Sequence, residues 1–355
     1  MAFDITKTYS LLMAVKQMTP PVTFLRDTYF PTNDSTDIFS TEYVLVEYKD
    51  GVKKLAPFVA PRKGGVTVLR EGSNMQSYEP PYIAPKRIMT IDELKKRGFG
   101  EAILTELTPA QREAQLALAD MQELSEMIAR REEAMAAETM LNNSCVMNHI
   151  ADDGTVKFSA EIKFYSEDDN PAKYTPSKTW DVADHDILGD LYAMAMNLKE
   201  RGLPATDFIC APDVARLILS DDEVYKLLDN RRYEMGNVTP RELPSGVTLT
   251  AVLNVYGIAI NILTYAETYE ADDGTATQFI PAGYGIMTAP AAGRTLYGAV
   301  TQMEQADNNY HTYAARRVPK YLADAKDDVR EIYLKSRPLL IPNQKNPWIS
   351  GKFTA

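Results

Sequence analysis

Residues 57–86 read PFVAPRKGGVTVLREGSNMQSYEPPYIAPK, a run punctuated throughout by proline and glycine. Val66-Thr67-Val68-Leu69 is mostly β-branched and reads as a strand. Around it stand Pro57, Pro61, Gly64-Gly65, Gly72, Pro80-Pro81 and Pro85, and helical periodicity is absent. Some 40 residues of such extended chain are unusual inside a compact domain. One arrangement is a hairpin with legs Pro57–Glu71 and Tyr78–Ile91 and its tip near Gly72-Ser73-Asn74. Legs of about 14 residues at roughly 3.3 Å each reach on the order of 45 Å. A compact chain of this length is about 50 Å across, so the ribbon would nearly double its reach. A lone two-stranded ribbon is marginal in water and must lie on something. The simplest support is another copy of the chain. The alternative is a meander packed on its own core.

The chain has 355 residues, which fits two compact units or one core with long excursions. Hydrophobic residues make up 45% and charged residues 25%, enough to bury a core without disulfide staples. Cys145 and Cys210 form no CxxC pair and are expected to be reduced thiols of a cytosolic protein. The apolar run Leu11–Val15 is followed by Lys16-Gln17, which does not fit a secretory signal. No apolar stretch approaches the roughly 20 residues that span a bilayer, so no membrane partner is expected. Net charge is -11, and basic residues cluster in little more than pairs such as Arg130-Arg131, Arg231-Arg232 and Arg316-Arg317. Specific nucleic-acid readout is therefore not expected.

Along the chain, Thr6–Lys16 reads as a helix, Val22–Phe30 as extended, and Thr41–Tyr48 as a strand. Thr108-Pro109-Ala110-Gln111 is a capping box with Pro at the first helical position. Residues 109–142 then run without Gly or Pro. Met121, Leu124, Ile128 and Met135 fall on one helical face, with Glu123, Glu126, Arg130 and Glu133 opposite. That predicts a rod of roughly 50 Å packed on one side against a sheet. Cys145–Ile150 and Val156–Phe164 read as a hairpin turned at Asp152-Asp153-Gly154. From Trp180 the pattern is α/β. Helices are predicted over 186–201, 212–220 and 223–231, and strands over 208–210, 247–255, 258–265 and 279–287. Near the end, Val329–Leu334 is the strongest strand, and Pro338–Pro342 is an apolar segment between prolines.

The densest catalytic-looking group is Asp181, Asp184, His185, Asp186 and Asp190. Such residues could hold a divalent metal and support an α/β enzyme. The same pattern is what a helix start needs, with Asp184 or Asp186 as cap, and this is the reading adopted. Asp221-Asp222-Glu223 reads the same way. His149, His185 and His311 lack metal-ligand spacing, and a GxSxG elbow, a P-loop and a GxGxxG fingerprint are missing. No catalytic residue, metal ligand or cofactor is therefore assigned.

Phe24-Leu25-Arg26, Pro57–Pro61, Gly65–Gly72 and Tyr78–Lys86, in this order, resemble the lambda-type phage major capsid protein, the major capsid protein E family. Leu227–Arg232 and Ser336–Pro342 are similar too, so the collinear set runs through most of the chain. The resemblance implies an α+β chain with the Hong Kong 97 (HK97) type capsid fold. In it, 1–48 would be the N-terminal arm and 49–91 the extended loop. Residues 92–180 and 291–355 would form the peripheral domain, with 109–142 as its spine helix, and 181–290 the axial domain. The protein would self-assemble into the pentamers and hexamers of an icosahedral virion shell, built in the bacterial host cytoplasm. An encapsulin-like nanocompartment of the same fold is the second reading. Lys53, Lys54, Arg62, Lys63, Arg70, Glu71, Tyr78 and Tyr82 would be candidate inter-subunit contacts, made as the loop lies over a neighbour. The implied partners are a separate scaffolding protein, a portal and a decoration protein. Packaged DNA would be a neighbour by proximity only, in keeping with the acidic balance. Some relatives join a loop Lys to an Asn of the next subunit. Lys53, Lys54 and Lys63 could reach, but lambda-like members are not of that kind.

Overall fold

The computed structural model describes residues 8–17, 23–48, 74–90, 109–150, 156–165, 169–228, 236–237, 241–243, 245–305, 307–324 and 329–355. Its largest sheet contains a local hairpin. Val247–Val255 and Ile258–Tyr265 pair antiparallel over the bounds their apolar runs predict. They turn at Tyr256-Gly257, both at positive φ (48° and 88°), the geometry that a two-residue hairpin loop demands. Asp207–Cys210 runs parallel to Ile258–Tyr265 and antiparallel to Tyr284–Thr288. Ile349–Lys352, near the end of the chain, pairs with Tyr284–Thr288. Shorter strands complete an eight-stranded sheet.

Side chains alternate across this sheet. Phe208 and Cys210 face a cluster under the helices Ile187–Glu200 and Pro212–Ser220, whereas Ile209 faces the main core. Trp180, Phe208 and Phe353 pack ring on ring in that cluster, with centroids 4.1 to 6.2 Å apart. A methyl group at Gly285 would collide with the Phe208 ring, so this strand needs glycine there. The strand expected over 279–287 begins only at Tyr284. Pro281 has no N–H to give a ladder, Gly283 turns at φ 79°, and Phe279 instead stacks on Tyr265 at 5.5 Å.

The long helix spans Pro109–Asn142, 34 residues, as predicted. Met121, Leu124, Ile128 and Met135 are all buried. Its first half packs with Leu11 on a three-stranded sheet of Val318–Asp324, Val329–Lys335 and Lys86–Thr90. Its last turns, from Met135 to Leu141, enter the main core. Asn143, at φ 54°, closes it in the left-handed conformation. Pro338–Pro342 is a fully buried strand paired with Gly293–Tyr297.

Two expectations change. Val22–Phe30, expected extended, contains the short helix Leu25–Tyr29. The hairpin of the opening stretch is also built differently. Asn74–Tyr78 pairs with Val44–Tyr48, from Val44 opposite Tyr78 to Tyr48 opposite Asn74. The expected second leg, Tyr78–Ile91, follows the body instead. Ile83 exchanges backbone hydrogen bonds with Ser336, and Lys86–Thr90 joins the three-stranded sheet. Burial of Met89 beneath the long helix accounts for this path. The leg Pro57–Glu71 and the tip at Gly72-Ser73 lie outside the described residues.

Candidate assembly interface

Strands Val44–Tyr48 and Asn74–Tyr78 pair antiparallel on either side of residues 49–73, which lie outside the described residues. Val44 and Val46 are buried in the main core. Tyr78, one of the candidate contacts, sets its ring against Phe164 at 6.0 Å and so anchors the strand pair within its own subunit. Tyr82 is 43% exposed, with the Arg337 guanidinium 5.5 Å over its ring and Glu42 3.3 Å from Arg337. Burial raises the Tyr82 hydroxyl, against the opposing pull of Arg337. Lys53, Lys54, Arg62, Lys63, Arg70 and Glu71 lie outside the described residues. Of the eight candidates, Tyr78 and Tyr82 are among the described residues.

Beneath this strand pair lies a charged junction that the sequence reading missed. Glu133, expected on the exposed face of the long helix, is buried. Its carboxylate accepts the backbone N–H groups of Phe24, Leu25 and Arg26 at 3.0, 2.7 and 2.9 Å. The helix Leu25–Tyr29 has no side-chain cap of its own, so a residue more than 100 positions away caps it. That explains the departure from extended chain. The Tyr265 hydroxyl also donates to Glu133, at 2.9 Å. Burial raises the Glu133 carboxyl, opposed by these donors.

Glu132 beside it is wholly buried. Arg317 grips both carboxylate oxygens, at 2.7 and 2.8 Å, and Arg26 donates at 2.9 Å. The Tyr297 hydroxyl donates at 3.2 Å. Burial alone would raise the Glu132 carboxyl, but the two guanidinium groups hold it below its ordinary value. Three distant segments thus meet at one carboxylate: the arm through Arg26, the spine through Glu132, and the C-terminal strands through Tyr297 and Arg317. A signal was present in the sequence. Ile128 and Ala136 flank Glu132 at four-residue steps, and Ala129 and Ala137 flank Glu133, so both acids stand on the buried stripe.

The acidic group near Asp184 is dispersed. Asp186 caps the helix Ile187–Glu200, accepting the Gly189 N–H at 2.7 Å. Asp190 is buried and accepts from the Tyr174 hydroxyl at 2.6 Å and the Trp180 indole at 2.7 Å. Asp184, at φ 57°, is exposed, and Asp181 accepts the Ala355 N–H at 3.2 Å. Asp221 caps the helix Asp222–Leu228 through the Val224 N–H at 2.8 Å and also meets His185 Nε2 at 3.0 Å. Both are the helix-start roles read from sequence. His149 lies in a strand, as expected, and its side chain is outside the described atoms. Among the described residues, no group of three or more His, Cys, Asp or Glu stands together as a metal site, and no helix is long and apolar enough to cross a membrane. Cys145 and Cys210 are buried free thiols, and burial pushes Cys145 up to about 12.

A short N-terminal helix capped from a long helix, and a large sheet covered by helices on one face, make up an α+β fold of the HK97 type. A crystal structure of a capsid protein of an Escherichia coli CFT073 prophage superposes with a TM-score of 0.64 at 17% identity, covering 98% of each chain. A phage-related protein from Bordetella bronchiseptica RB50 does so at 0.52 and 8% identity, covering 96% of this chain and 95% of that one. The description "Phage major capsid protein E" matches residues 7–353, and the chain belongs to that family. It is similar to the major capsid protein of Escherichia phage lambda, at 22% identity over 317 residues, 88% of this chain and 89% of that one. The major capsid protein of Enterobacteria phage P21 is likewise 22% identical over 315 residues, 85% of this chain and 86% of that one. Family membership makes this chain a structural protein of a phage head.

Proposed function

We propose that this chain closes an icosahedral head by assembling into pentamers and hexamers around the packaged genome of a tailed bacteriophage, without enzymatic activity of its own. The observation that carries the reading is the foot of the ribbon. The strands Val44–Tyr48 and Asn74–Tyr78 are pinned into the core, yet 25 residues, 49–73, join them. That is far more than the two to five a hairpin turn needs. Lys53, Lys54, Arg62, Lys63, Arg70 and Glu71 then lie on a neighbour, and Tyr78 and Tyr82 hold the ribbon's foot. Residues 1–48 act as the arm, 92–180 with 291–355 as the peripheral domain, and 181–290 as the axial domain around the ring axes. The outreaching part of the 49–91 loop is 49–73, because 83–90 is bound to its own body. Weak repeated contacts suffice, since multivalency supplies the total. A scaffolding protein as a separate chain, a portal and a decoration protein complete the head, which forms in the host cytoplasm, and DNA is held by enclosure only.

Replacing residues 52–71 by a short glycine linker tests this. The variant is expected to keep the circular dichroism and melting temperature of the parent and to form no shells in electron micrographs. Normal shells from it would overturn the role given to the loop.

A further inference from the structure

The three-stranded sheet beside the long helix ends in an open edge. Its outer strand, Lys86–Thr90, continues the line of Ile83 in one register against residues 329–336. Ile83 stands opposite Ser336, Lys86 opposite Tyr333 and Thr90 opposite Val329. Ile83 exchanges backbone hydrogen bonds with Ser336, and the Pro85 carbonyl accepts the Leu334 N–H. Backbone groups of an antiparallel strand point alternately to either side. Ile83 and Pro85 therefore face the partner strand, while Tyr82, Ala84, Lys86 and Ile88 turn their N–H and carbonyl groups outward. Among the described residues nothing pairs with that outer edge. Pro85, which has no N–H, falls on the inner side, so the outer edge keeps every donor. From Tyr82 to Ile88 it runs about 20 Å.

Beside the Tyr82–Ala84 end lies a groove of about 780 Å³ over the long helix. Met127, Ile128 and Met135 line it from the helix, and the strand Ser144–Ile150 lines its far side. The Val146 N–H on that far side is taken by Glu138 at 2.9 Å. Tyr82, Met127 and Val146 are 43%, 48% and 40% exposed, so the apolar rim is open to solvent. An open strand edge supplies main-chain pairing, and an apolar groove beside it takes alternate side chains of the strand that is added. Methionines in the lining let such a groove adapt its shape.

We propose that this edge takes an added strand, Val66–Leu69 from the 49–73 loop of a second copy, with alternate side chains lowered into the groove. This contact rests on the role proposed above for the loop and names the surface on which the loop lies. Sequence selects the segment. Val66-Thr67-Val68-Leu69 is a run of strand-forming residues set between Gly64-Gly65 and Gly72. Reach selects the second copy. Leu69 stands five residues before Asn74, so within one chain it lies at most about 18 Å from Asn74. The strand Asn74–Tyr78 uses about 13 Å of that to come level with Tyr78, short of the edge. Two open edges paired with each other would bring Lys86 close to its own copy, and like charges across a strand pair are destabilising.

Ala84→Pro removes an N–H that the subunit does not use, whereas Ala84→Val keeps it. The proline variant should melt with the parent and need at least about tenfold higher concentration to assemble in light scattering. The valine variant should stay within about twofold of the parent. Disulfide trapping reads the contact directly. Chains carrying Ala84→Cys are mixed with chains carrying Val66→Cys, Thr67→Cys, Val68→Cys or Leu69→Cys, the native Cys145 and Cys210 being buried. Links between the two kinds of chain are expected at alternate positions of the loop, as a paired strand requires. Links that form only when both new cysteines stand in one chain overturn the proposal in favour of a loop folded on its own body. Parent-like assembly by Ala84→Pro, with no links at any position, overturns it and leaves the shell reading intact. Links in oligomers that never close into shells uphold it and overturn the shell reading.

Discussion

The helix-covered face of the large sheet and the junction around Glu132 and Glu133 are both dry, yet different forces hold them. Under the helices, Trp180, Phe208, Leu191, Met194 and Ile218 exclude water by area and shape. At the junction, two carboxylates, two guanidinium groups and two phenols satisfy one another. The first, which also takes Phe353 from near the end of the chain, can shift apolar contacts without stranding a polar group. The second works only if the arm, spine and C-terminal strands all arrive together. Charge at a three-way meeting point makes correct docking a condition of stability, whereas apolar packing alone would accept near misses.

The sharpest way to break this contrast is to remove one group from each region. Glu132→Ala takes from the buried Arg317 its carboxylate, while Arg26 keeps Asp27, and should destabilise by about 3–5 kcal/mol. Phe208→Ala should lose a similar amount, about 3–5 kcal/mol, through the cavity it opens. Denaturant unfolding measures both. The difference lies in rescue. Replacing Arg26, Glu132 and Arg317 together by Leu, Met and Met should recover most of the loss, while no second change outside the cavity should rescue Phe208→Ala. If the apolar triple variant stays as unstable as Glu132→Ala, the junction is not a self-contained charge network.

Glu133→Gln should act more locally. It keeps one acceptor oxygen but loses the charge that three backbone N–H groups share, which costs about 1–3 kcal/mol. Hydrogen exchange should show faster exchange at Phe24, Leu25 and Arg26, with Asp207–Cys210 unaffected. Uniform loss of protection would mean that the arm helix and the body open as one unit.

The smallest effect belongs to the edge of the apolar region. His185 places Nδ1 2.7 Å from the Val182 carbonyl and Nε2 3.0 Å from Asp221. The Val182 hydrogen bond, and next Asp221, raise the imidazole above its ordinary 6.5. A raised pKa gives stability that is fully present below pH 6.5 and lost as pH rises through the folded-state value. The melting temperature of His185→Ala should therefore fall below that of wild type at pH 6 and match it at pH 9. The His185 ring resonances should titrate above 6.5. An equal difference at both pH values would show that the side chain acts by packing alone.

The elements that were legible in the sequence are those with local grammar. The long helix announced itself by Thr108-Pro109 and a run free of glycine and proline. The hairpin Val247–Tyr265 did so by two apolar runs around Tyr256-Gly257, and the helix caps by Asp186 and Asp221. The helix Leu25–Tyr29 was not legible, because its cap is supplied from Glu133. Nor was the path of residues 79–90, because the strand that Lys86–Thr90 completes lies over 200 positions on.

Residue order alone determined the spine and the helices and central hairpin of the large sheet, since each follows from periodicity, capping and turn chemistry within a short window. Tertiary structure alone decided which partners Glu132 and Glu133 meet, and that Tyr78 anchors rather than reaches. A window of sequence sets a residue's neighbours along the chain, but burial and charge pairing depend on neighbours in space, which exist only once distant segments have packed.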